Sequence, residues 1–129
     1  MSYYISKTIA SGFKQAVNQV VESLKTEGFG VISEIDIRQK LKEKLDVDFR
    51  RYIILGACNP SNAFQALELE DKIGTMLPCN VIVQEIGENI IEVAAVDPTA
   101  SMMAVHNQEL NDIAIEIRDK LERAIRSIT

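Results

Sequence analysis

Between Leu110 and Ile128 the apolar positions Leu110, Ala114, Ile117, Leu121, Ala124 and Ile128 recur at alternating steps of four and three, the repeat of one face of an α-helix. Ile113 and Ile125 widen this stripe beyond a coiled-coil seam, so the helix is expected to lie on a sheet. A second stripe, Phe13, Ala16, Val17, Val20, Val21 and Leu24, predicts an earlier helix, with Ser11 able to cap its start and Gly28 its end. A shorter row, Ile37, Leu41 and Leu45, follows Asp36 and Gln39, which stand three apart as in a capping box.

Elsewhere the pattern is that of strands. Tyr3 to Ile9 alternates and is rich in aromatic and β-branched residues, and Phe29 to Ile35 is a short β-forming run entered through glycines. Tyr52 to Leu55 is continuously apolar, as expected of a buried central strand. Cys79 to Ile86 and Ile90 to Val96 flank the turn residues Gly87, Glu88 and Asn89 and read as a hairpin, closed by Asp97-Pro98 because proline cannot continue the ladder. In "LGACNPSNAF", Asn59 is a favoured helix cap and Pro60 suits the first helical position, where no backbone donor is needed. Ala63, Phe64 and Leu67 are expected to form the inner face of that helix, with Gly74 and Pro78 ending any continuation.

The order is therefore β-α-β-α-β-α-β-β-α. It predicts one α+β domain over residues 1–129, a mainly antiparallel sheet with helices packed on one face, in a ferredoxin-like split β-α-β arrangement.

Composition narrows what such a domain can do. With 47% hydrophobic and 26% charged residues in 129, the chain can build one ordinary core and is not a disordered sequence. A net charge of -5 opposes nucleic-acid backbones and anionic membranes. The densest basic stretch, Arg38 to Arg51, is broken by Glu43, Asp46 and Asp48 and reads as a solvated face. Neither nucleic acid nor membrane is an expected partner. The opening MSYYISKTIASGFK lacks the basic leader and apolar run of a signal peptide, and no stretch approaches the ~20 apolar residues of a membrane span, so a cytoplasmic location with reduced thiols is expected.

Candidate chemistry starts at Cys58. A thiol beside a helix N-terminus can have its thiolate stabilised, whereas a cysteine ending a central strand is commonly a small buried hydrophobe. Cys79, in Leu77-Pro78-Cys79-Asn80, is a conceivable redox or metal partner. If the two cysteines end and begin successive strands of a β-α-β unit, they lie at opposite ends of the sheet, ~17 Å apart, beyond the ~7 Å Cα reach of a disulfide. His106, the single histidine, is expected on a loop before the long helix and is the one imidazole available as a base. Asp97 with Met102 and Met103 reads as a turn with adaptable apolar plugs, or as the lip of a ligand site. Asp112, Glu116 and Asp119, near Lys120 and Arg123, form a charged outer helix face. Close-spaced zinc ligands, a phosphate loop and a nucleophile elbow are all missing, so no metal is expected and no cofactor can be named.

The combination Gly56-Ala57-Cys58-Asn59-Pro60, Leu77-Pro78-Cys79-Asn80-Val81 and Asp97-Pro98 with Met102 resembles the domain-of-unknown-function family numbered 302. The resemblance spans nearly the whole chain and is densest from Tyr52 to Met103. It implies a compact α+β domain of bacteria and archaea that forms homodimers, and it carries no catalytic assignment. Cys58, Asn59, Pro60, Pro78, Cys79, Asn80 and Asp97 are its matching candidates. The expected function is a noncatalytic homodimeric small-ligand-binding or accessory module, its ligand held near Cys58, Asn59, Cys79, Asn80, Asp97 and Met102. The alternative is a thiol-dependent enzyme or metal-binding protein using Cys58 and Cys79, with His106 as base.

Overall fold

A computed structural model describes residues 2–129. Its strands are β1 (Tyr4–Ala10), β2 (Gly30–Asp36), β3 (Tyr52–Cys58), β4 (Cys79–Gly87) and β5 (Ile90–Val96). Its α-helices are α1 (Phe13–Thr26), α2 (Ile37–Leu45), α3 (Pro60–Leu69), α4 (Pro98–Ser101) and α5 (Gln108–Arg126), with a 3₁₀ helix over Asp71–Met76. The strands form one five-stranded sheet in the order β1-β5-β4-β3-β2. Every neighbouring pair is antiparallel, as an α+β pattern predicts.

Because four reversals separate them, β1 and β2 run parallel at opposite edges, joined through α1. The β-α-β unit is thus split, and more widely than in the β-α-β-β-α-β form, where two such units interleave: here β5, β4 and β3 all lie inside a single one.

Alternation along the strands sends Ile9, Leu55, Ala57, Cys79, Val81, Val83, Ile91, Val93 and Ala95 to one face. There they meet Ala16, Val20 and Leu24 of α1 and Ile117, Leu121, Ala124 and Ile125 of α5, which make one core. The predicted stripe on α5 is the buried one. Lys7 also points to this side, where its ammonium donates to the carbonyls of Arg126 and Ile128 at the C-terminal end of α5, a position that favours a cation. A smaller cluster of Ala66, Ile73, Met102, Leu110 and Ala114 ties α3, the 3₁₀ helix and the α4 region to the first half of α5. Among the described residues, no helix is long and apolar enough to cross a membrane.

A thiol-lined pocket at the corner between β3 and α3

The corner that follows β3 is built by hydrogen bonds of Asn59. Its Oδ1 accepts from the Asn62 amide N at 3.4 Å, capping α3, while its Nδ2 donates to the Glu27 carbonyl at 3.3 Å and ties the corner to the end of α1. Gly28 makes this approach feasible. It has φ +86, and a Cβ there would stand 3.1 Å from Asn59 Nδ2.

The inner row of α3 differs from the expected one. Phe64 is 65% exposed and Leu67 42%, whereas Asn62 and Ala66 point inward. Alanine allows α3 to approach α5 closely, and Asn62 is satisfied across that interface, its Oδ1 accepting from Lys120 Nζ at 2.9 Å. Ala63 lies between the rows and lines the pocket described below.

The 3₁₀ helix then decides where Cys79 lies. After α3 it returns the chain to the end of the sheet that β3 left, and β4 pairs with β3 in the register Gly56↔Asn80 and Ala57↔Cys79. The expectation of thiols at opposite ends, ~17 Å apart, is therefore wrong. β3 and β4 are antiparallel neighbours, so the residue ending one strand and the residue beginning the next occupy the same end.

Cys58 and Cys79 line one pocket of about 190 Å³. Phe29, Ala57, Pro78 and Ile117 make its wall largely apolar, and Asn59 and Asn62 are its amides. Both thiols are free, Cys58 half-buried and Cys79 buried. Burial pushes the Cys79 thiol up to about 11, with the neighbouring Cys58 adding in the same direction, so at neutral pH Cys79 is a protonated thiol. No group of three or more His, Cys, Asp or Glu able to hold a metal occurs among the described residues.

The remaining candidates fall elsewhere. Asn80 faces the opposite side of the sheet, in a separate concavity. Asp97 caps α4, its Oδ1 accepting from Thr99 N at 2.9 Å and Thr99 Oγ1 at 2.6 Å, and its Oδ2 lies 3.4 Å from Arg118 Nε. Met102 is buried in the smaller core cluster, while Met103 is exposed. His106 is exposed on the loop before α5 and lines neither thiol. The set read along the chain is thus dispersed, with Cys58, Asn59, Pro78 and Cys79 converging. Sequence reasoning does not single out Asn62 and places Lys120 beside a charged outer face of α5, whereas its ammonium reaches Asn62. An asparagine inside a helix competes with its backbone, which was the available signal that Asn62 serves another contact.

Fold and site together define a small α+β domain with a five-stranded antiparallel sheet, α1 and α5 on one face, and a thiol-lined corner at one end. The chain belongs to the family described as "Domain of unknown function DUF302", whose model matches residues 5–128. It is similar to a solved structure titled "Crystal structure of uncharacterized conserved protein DUF302 from Bacillus stearothermophilus", with 27% sequence identity, a TM-score of 0.92 and coverage of 100% of both chains. No curated protein matches the chain.

Proposed function

We propose that this DUF302 chain is a cytoplasmic, noncatalytic homodimeric module that holds a small ligand in the pocket between β3, α3 and the start of β4. The observation that carries this reading is the convergence of two thiols and the inward Asn62 on one largely apolar concavity. Small-ligand sites commonly combine an apolar lining with a few fixed polar groups. At about 190 Å³ the pocket has the space of about six liquid-water volumes of ~30 Å³ each, which favours a compact ligand.

Native mass spectrometry of protein isolated from its own host tests the proposal. Ala63 lines the pocket, and Ala63→Phe would fill it. The expected result is a dimer of wild-type chains carrying a small-molecule adduct that Ala63→Phe lacks. An adduct on both proteins or on neither, or monomers alone for the wild type, contradicts the corresponding part.

The shared cavity also supports a second reading, thiol chemistry, in which Cys58 is the reacting atom and Cys79 a protonated neighbour. Faster alkylation of Cys58 than of free cysteine by iodoacetamide near neutral pH would support it, and a rate equal to or below free cysteine would remove it.

A further inference from the structure

The face of the sheet opposite α1 and α5 has a chemistry of its own. The ladder registers set its rows: Thr8, Glu92, Gln84 and Tyr52 across one line, Ser6, Ala94, Ile82 and Ile54 across the next, and Tyr4, Val96, Asn80 and Gly56 across a third. Ala94, at the centre of these rows, is smaller than the Glu92, Val96 and Ile82 side chains around it. A concavity on this face, about 400 Å³, is lined by Ile82, Ala94, Tyr3, Tyr4, Tyr52 and Glu92.

Its charge is one-sided. Glu92 is the single acidic residue of the lining, which contains no Lys, Arg or His. Gln84 Nε2 donates to Glu92 Oε1 at 2.8 Å and fixes the direction of the carboxylate. None of the ion pairs among the described residues involves Glu92. Tyr3 and Tyr4 stand edge to face, with ring centroids 5.0 Å apart, on the side away from Tyr52. A carboxylate without a cation, in one ladder row with the Tyr52 ring across Gln84 and beside the apolar Ile82 and Ala94, is electrostatically complementary to a poorly hydrated cation.

We infer that this concavity is a binding site for a compact organic cation, with its alkylated ammonium group seated between Glu92 and the Tyr52 ring. The site is independent of the thiol pocket: it lies on the other face, and neither cysteine lines it. Ammonium character supplies the attraction to Glu92, and alkyl substitution supplies contact with Ile82 and Ala94.

The test is titration of the full chain with tetramethylammonium chloride, followed by amide and methyl NMR shifts, with sodium chloride and tert-butanol as matched controls. Saturable shifts centred on Tyr52, Ile82, Gln84 and Ala94 are expected with tetramethylammonium alone. Glu92→Gln is expected to weaken binding by about fivefold to tenfold, Tyr52→Leu to weaken it similarly, and Tyr52→Phe to retain it, since the ring and not the hydroxyl is used. The spectra themselves report whether each variant is folded. Shifts that do not saturate, that are matched by either control, or that are unchanged by Glu92→Gln overturn the inference. So do shifts of the same residues on dilution of the protein alone, which would identify a second copy of the chain as the occupant.

Discussion

Asn59 joins three segments through one side chain: it follows β3, caps α3 and holds the carbonyl of Glu27. Asn59→Ala is expected to lower stability by about 1–2 kcal/mol in urea denaturation, the usual loss for a helix cap. Its capping role was legible because Asn-Pro is a local signal, whereas its bond to Glu27 and that between Asn62 and Lys120 join residues far apart in sequence and have no local trace. Cys79 makes a different prediction. Its pKa rises from 9.0 to about 11 on folding, so between those values the native state holds more protons than the unfolded one. Stability contributed by the protonated thiol is fully present below pH 9.0 and is lost as pH rises through about 11, on the order of 3 kcal/mol. Urea midpoints at pH 7, 9 and 10.5 should show an alkaline decline that is shallower in Cys79→Ala. Equal slopes would contradict burial as the origin of the shift.

Among the elements, α5 was read correctly because its apolar stripe is long and its buried face continuous. The inner face of α3 was not, since this short helix docks through small and polar residues, Ala66 and Asn62, and leaves Phe64 to solvent. The orientation of β4 was also hidden. A helix between two strands usually signals a parallel crossover, and nothing local announced that the 3₁₀ turn over Asp71–Met76 would bring the chain back to the same end. Close packing of β3 between its neighbours gives a direct test. A Cβ at Gly56 would lie 2.1 Å from Ser33 Oγ and 2.7 Å from Pro78 Cγ. Ser33 can rotate, but the proline ring of Pro78 has little freedom. Gly56→Ala is expected to destabilise by about 1–3 kcal/mol, the typical effect of overpacking, and a neutral substitution would show that β2 and β4 approach less closely.

For the whole molecule, the succession of elements announced the α+β class, but strand order depends on pairings between distant segments, such as β1 with β5. That pairing makes β5 and β4 interior strands flanked on both sides and covered by α1 and α5, while α2 has no buried residue. Amide hydrogen exchange should therefore be slowest in β4 and β5 and reach the global unfolding free energy there, with α2 exchanging through local opening. Equal protection of α2 and β5 would contradict this layering. The pocket rests on the antiparallel pairing of β3 with β4, which places both sulfurs at one end of the sheet. Cross-strand nuclear Overhauser effects measure that pairing directly. Backbone contacts joining Ala57 with Cys79 and Gly56 with Asn80 are predicted, whereas contacts from Cys58 to Glu85 through Gly87 at the far end of β4 would contradict the account.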